Sequence, residues 1–287
     1  LRGSAGVHAL SATAPAGAPC TPCVPSTRGA PDLSVRAASP PGEAYARAFA
    51  EARAGLPGAG QSEIESRREA ALARFVRHGI PTTKVEAWKF TSLTPLTRAV
   101  FRPSAAATPE GQLSPASIAL WRLPAPALCA VFVGGRFRPE LSDLANLPAG
   151  VRIGSLAQDL AVGGTGAAAL LGEDTGDRGE ALVALNAAFA ADGAHVVIAA
   201  GVRLDRPLQI LLLAPSASDA GVVHPRHAIA LGAGAEATVL ETYAGVPPGA
   251  PCTPCVPSTR GAPDPEVRAA SPPGAPSWTN AVTRVSL

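Results

Sequence analysis

The 287-residue chain has no methionine, only two lysines (Lys84 and Lys89) and few aromatic residues, with two Tyr, three Trp and seven Phe. A core poor in aromatics has to be assembled from Ala, Val and Leu, many small side chains in place of a few large ones. A long apolar run is also missing. The most apolar stretch, Val196–Ala214, is broken by Arg203, Asp205 and Arg206, which excludes a cheap bilayer span. Residues 1–16 lack the 7–15-residue apolar run of a secretory signal, so the expectation is a soluble, cytoplasmic protein. The net charge of +2 is spread without a basic stripe, which argues against nucleic acid as a partner. No G-x-x-x-x-G-K-[ST] occurs, which excludes a P-loop ATPase.

What is abundant is Arg, Ala, Gly and Pro, with 29 Gly and 30 Pro unevenly distributed. Much of that unevenness is one sequence written twice. Residues 17–42 and 249–274 agree at 24 of 26 positions, with an offset of 232 residues. Neither copy has a helical or strand period, so neither offers a face to bury. Solenoid repeats sit side by side at periods of 20–50 residues; these do not, and they read as extended inserts. Each copy carries Cys-Thr-Pro-Cys: Cys20 and Cys23 in the first, Cys252 and Cys255 in the second. Four thiolates could hold zinc, but the 228 residues between the pairs far exceed zinc-ribbon spacing. A thiol-redox role would need a helix N-terminus beside the pair, which Pro-rich flanks deny. Duplication accounts for the pairing, and a zinc-binding or thiol-redox protein stays as the alternative reading.

Between the copies, Tyr45, Ala48, Phe49 and Ala52 line one face of a helix over Glu43–Ala54. A second helix follows. Ser62 and Glu65 form a capping-box pattern whose loss at Ser62 would cost about 1 kcal/mol. Ile64, Ala71, Leu72, Phe75 and Val76 make its apolar face, and Gly79 with Pro81 ends it. Strands are expected at Leu128–Val133, Arg136–Arg138 and Val151–Ile153, and a short helix at Ala181–Phe189. Strand-length runs then follow closely at Val196–Ala199, Leu208–Leu213, Ala228–Leu231, Ala237–Glu241 and Ala281–Leu287. That spacing leaves no room for helical crossovers, so the order is helices first and a β-solenoid or sandwich second.

Little chemistry is legible. The glycines after Leu231 lie between two strands and mark a turn, because a dinucleotide fingerprint needs a helix after it. His78 sits at a helix C-terminus, His224 and His227 read as loop residues, and His195 has no evident partner. Cys129 reads as a small core residue. No catalytic, cofactor-binding or metal-ligating residue is assigned, and the chain does not read as an enzyme.

The segment Arg74–Leu96, RFVRHGIPTTKVEAWKFTSLTPL, resembles the N-terminal signature of the SufD family in Pro81, Thr82, Lys84, Glu86, Trp88, Lys89, Phe90, Thr91 and Leu93. Stretches beginning at Val131, Gly150, Ala184, Pro225, Ile229, Ala237 and Trp278 resemble later family segments in the same order. The resemblance covers about residues 44–246 and 277–287. It implies an α+β chain, an N-terminal helical region followed by the start of a right-handed parallel β-helix. It also implies a non-catalytic scaffold subunit that pairs with SufB-like and SufC-like (ATPase) partners in a complex handling nascent iron–sulfur clusters. A β-solenoid interaction module without those partners is the other alternative. The expected organisation is 1–43 low-complexity, 44–127 helical, 128–246 strands and first coils, 247–276 insert, and 277–287 resumed strand. A Leu start and an end inside a strand suggest an incomplete copy of the parent.

Overall fold

The structure, a computed structural model, describes residues 9–11, 41–97, 102–103, 113–163, 167–172, 180–214, 221–245, 278–279 and 282–286. It is an α+β fold with helices first and sheets second. Cys20, Cys23, Cys252, Cys255 and nearly all of both duplicated segments lie outside the described residues.

Helix α1 (Pro41–Ala52) and helix α2 (Ser62–His78) pack with helix α5 (Ala181–Phe189) around one apolar cluster. Because Tyr45, Ala48 and Phe49 recur at three- and four-residue spacing, they fall on one side of α1, and all three are buried. Edge-on ring pairs hold the cluster: Tyr45 with Phe75 at 5.0 Å and Phe49 with Phe189 at 5.6 Å between centroids. Gly79 closes α2 with φ of 68°, and its N–H donates to the Phe75 carbonyl.

Two details of α2 differ from the sequence reading. Ser62 is the first helical residue and makes no capping bond. Glu65 does reach back, but its Oε1 accepts from Gly60 N–H at 3.0 Å, ahead of the expected cap. Val76 is 41% exposed, and the buried positions that sequence reasoning missed are Arg68 and Arg74. Arg68 sits where α5 ends, and its guanidinium donates to the carbonyls of Pro57, Ala187, Ala188 and Ala190. It satisfies the orphan carbonyls of the last turn and places positive charge at the negative helix end.

The sheets come from strands that take turns. β3 (Leu128–Val133) and β4 (Arg136–Phe137) form a hairpin at Gly134–Gly135. β5 (Val151–Ser155) leads through the short helix α4 (Leu156–Val162) toward α5. Then β6 (Ala194–Ile198), β7 (Arg203–Ala214), β8 (Gly221–Val223), β9 (Arg226–Leu231), β10 (Glu236–Gly245), β11 (Trp278–Thr279) and β12 (Val282–Ser286) follow in order. They fall into three sheets in strict rotation. One holds β6, β9 and β12, the next β7 and β10, and the third β8 and β11. Neighbours within each set pair in parallel, with no helix between β6 and β12 among the described residues. The short strand β1 (Ala9–Ser11) lies parallel on β10, β2 (Arg102–Pro103) lies on β8, and the one-turn helix α3 (Thr94–Thr97) overlaps the end of the signature segment.

The strand sequences explain this placement. Leu128–Val133 is apolar at every position and Leu208–Leu213 at all but the buried Gln209, and both faces of their sheet are covered. Leu128, Phe132, Leu208, Ile210, Val196 and Ile229 share one cluster; Val131, Val133, Leu211 and Leu213 pack with Ile118 and Leu141 in another. Cys129 belongs to the second cluster, and burial pushes its thiol pKa up, as a core cysteine requires.

Successive turns approach so closely that two glycines are obligatory. A Cβ on Gly193 would stand 1.8 Å from the Arg226 carbonyl oxygen, and one on Gly232 would stand 2.4 Å from Ala200 N. The turn between β9 and β10, read from the glycines after Leu231, is where Gly232 sits.

Candidate functional site

Two places concentrate polar residues: the surface segment from Ile80 to Leu96 and a polar seam between the helices and strands. In the first, Trp88, Leu93 and Leu96 pack against the helical core and fix the loop's path. Lys84, Glu86, Lys89 and Phe90 point outward; Phe90 is 92% exposed with the Lys89 ammonium 5.1 Å from its ring centre. Lys89 also pairs with Glu86. This is a rigidly anchored loop that displays one aromatic ring and two cations, an arrangement suited to contact and without a nucleophile–base pair.

The seam runs along α5. Asn186, fully buried, donates from Nδ2 to the Pro225 carbonyl at 2.8 Å, and its Oδ1 accepts from Arg226 at 3.0 Å. Arg226 also donates through Nε to the Leu170 carbonyl at 3.1 Å. Asp192 is 4% exposed and receives four bonds. Oδ1 accepts from Ser155 Oγ at 2.7 Å, Ala157 N at 3.0 Å and Gly193 N at 2.8 Å, and Oδ2 from Phe137 N at 2.9 Å. Ser155 Oγ also accepts from Gln158 N and so caps α4. Both carboxylate oxygens of Asp192 and the hydroxyl hydrogen of Ser155 are engaged in hydrogen bonds that join elements of the fold.

The histidines correct the sequence reading. His195 lies in β6 and has partners: its Nδ1 is 2.6 Å from Asp159 Oδ2 and 3.2 Å from Arg152. Hydrogen bonds from His195 and Arg152 hold the Asp159 carboxyl below its usual range against a desolvation that opposes them. The trio ties α4 to β5 and β6. His224 and His227 are buried, not surface-exposed, and His227 is the second residue of β9. His224 stacks on Phe189 at 5.4 Å between ring centres. His227 Nδ1 accepts from Ala194 N at 2.9 Å, which leaves the proton on Nε2 in the neutral ring. Burial pushes the His224 pKa down to about 3; it pushes His227 to about 4 against the opposing charges of Glu241 and Asp192. His224 does lie in the connection between β8 and β9 but is buried there, whereas His227 lies in a strand.

Among the described residues no group of three or more His, Cys, Asp or Glu could hold a metal ion. No helix among them is long and apolar enough to cross a membrane. The polar seam is therefore a joint, and the exposed signature loop is the candidate functional surface.

The family model of the SufBD protein N-terminal region matches residues 41–210, more than half of the chain, from α1 into β7. The chain belongs to the SufBD family. This SufBD-family chain is 28% identical over 179 residues to the iron-sulfur cluster assembly protein SufD of Escherichia coli (strain K12), covering 60% of this chain and 37% of that protein. It is 29% identical over 192 residues to the iron-sulfur cluster assembly SufBD family protein slr0076 of Synechocystis sp. (strain ATCC 27184 / PCC 6803 / Kazusa), covering 67% and 41%. The match thus spans about two fifths of each relative. The family match takes in the helices, the signature loop and, of the polar seam, Ser155, Asn186 and Asp192.

Proposed function

We propose that this SufBD-family chain is a SufD-like scaffold component of iron–sulfur cluster assembly, acting in the cytoplasm by binding partners and not by catalysis. The observation that carries the reading is the family match from α1 to β7, joined to relatives named as assembly proteins. Two structural facts support it. The polar residues at the helix–strand joint are spent on hydrogen bonds, and the segment that resembles the family signature is held rigid with its charges and Phe90 outward. Iron–sulfur clusters are in this reading the cargo of the assembly, not a resident cofactor of these residues. The rotation of parallel strands through three sheets favours a right-handed parallel β-helix as the architecture that continues from β6.

The expected partners are a SufB-like subunit and a SufC-like ATPase. Co-expression of the tagged 287-residue chain with both, followed by affinity purification and mass spectrometry, is expected to recover them in fixed ratio. Recovery of neither from a native lysate would refute the proposal. Metal analysis of the same preparation addresses the cysteines: one zinc per chain, lost in Cys20→Ser with Cys252→Ser, would favour a zinc protein instead.

A further inference from the structure

Along the winding, the interior changes character. Its earlier layers are apolar, with Ala130, Phe132, Ile210, Leu212, Ala194 and Val196 turned inward. On β10 the inward face carries Val239 and Tyr243, and Glu241 stands between them, 8% exposed. A carboxylate in such a place is costly unless its oxygens receive donors. Both do: Oε2 accepts from Tyr243 Oη at 2.7 Å, and Oε1 accepts from the hydroxyl of Thr283.

Thr283 belongs to β12, in a different sheet from β10, so this side-chain bond crosses the interior. Thr283 stands in register with His227, which stands above Ala194 through its ring–backbone bond. His227 Nε2 is buried with no hydrogen-bond partner among the described residues, beside the Glu241 charge.

We infer that Glu241 is a register pin, the residue that selects the register in which β12 pairs with β9. Hydrophobic contact alone is a weak selector here, because a strand of five residues can slide along β9. A slip of one residue takes the Thr283 hydroxyl off the interior face and leaves one Glu241 oxygen without its donor. The penalty for a buried, unmade bond is what discriminates between registers, as a lone polar residue does at a coiled-coil seam. The intervening residues 246–277 are then free of any part in setting β12.

Hydrogen–deuterium exchange on the full 287-residue chain tests this, with the amides of β7 as internal control. Thr283→Val and Glu241→Leu are each expected to speed exchange of the 282–286 amides at least tenfold while β7 stays protected. The double variant is expected to be no faster than the singles. Replacing residues 246–277 by the six residues that join β7 to β8, Pro215–Ala220, is expected to leave β12 protection within about twofold. Unchanged β12 protection in Thr283→Val would overturn the inference, and so would loss of that protection in the replacement. Should Glu241→Leu also unprotect β7, it reports misfolding, and Thr283→Val then decides.

Discussion

Removing the Asp192 side chain should cost more than any other single polar truncation at the joint between helices and strands. The carboxylate joins four donors from four places in the chain: Phe137 N–H after the β3–β4 turn, the Ser155 hydroxyl, Ala157 N–H at the start of α4, and its own neighbour Gly193 N–H. In Asp192→Ala all four lose their acceptor in a site that is 4% exposed. A buried donor left without a partner costs about 1–3 kcal/mol. Taking the lower end for each, since neighbours relax and water can reach some, gives a loss of about 4 kcal/mol. Asp192→Asn keeps one acceptor oxygen but turns an NH2 group toward a donor, for a loss of about 2 kcal/mol. Ser155→Ala removes one bond and one helix cap, about 1 kcal/mol. Urea unfolding followed by far-UV circular dichroism measures the series, provided the m-values agree. At about 2–4 °C per kcal/mol for a domain of this size, the melting temperature of Asp192→Ala should fall by roughly 10 °C. A loss below about 1 kcal/mol, or Asn and Ala variants of equal stability, would refute the account of Asp192 as an acceptor for four donors.

Gly193→Ala is expected to destabilise by about 3 kcal/mol or more in the same assay, because its Cβ would enter the Arg226 carbonyl and neither backbone can yield. Arg68→Met should cost about 3 kcal/mol by uncapping α5, with Arg68→Lys intermediate, since an ammonium cannot span the four carbonyls. The stability contributed by the two buried histidines should be flat above pH 6.5 and fall below it. The unfolded histidines bind protons near 6.5, whereas burial holds His227 neutral to about 4 and His224 to about 3. The loss therefore accumulates between pH 6.5 and about 3, and urea midpoints at pH 7 and pH 5 will show it. Ser62→Ala should change stability by less than about 0.5 kcal/mol, because no capping bond is made there.

Local patterns were readable wherever the partner lies close in sequence. Ala181–Phe189 and Leu128–Val133 appear with the predicted bounds, since a helical period and an unbroken apolar run each declare themselves within ten residues. The Gly79 stop and the hairpin at Gly134–Gly135 carry their own backbone signature. What could not be read is contact between distant segments. Arg68 looks like one more solvated arginine until α5 arrives to receive it. His195 and Asp159 come together only because α4 folds back beside β6, and His224 only because α5 brings Phe189. The Ser-x-x-Glu pattern was sound chemistry at Glu65 and silent at Ser62, because the loop ahead of α2 presents Gly60 to the carboxylate instead. The signature loop was recognisable as a string of residues, but its division into Trp88, Leu93 and Leu96 inward and Phe90 outward depends on the helical cluster beneath it.

The rotation of β6 through β12 among three sheets pairs β6 through β9 each with the strand three places on, while β1 and β2 join two of the sheets from much earlier in the chain. A lesion at β12 loosens β9 first, and from β9 it reaches the helices in one step, through the Arg226 bond to Asn186 on α5. The helical cluster and β12 are thus coupled through β9, and a change of sequence at one is felt at the other.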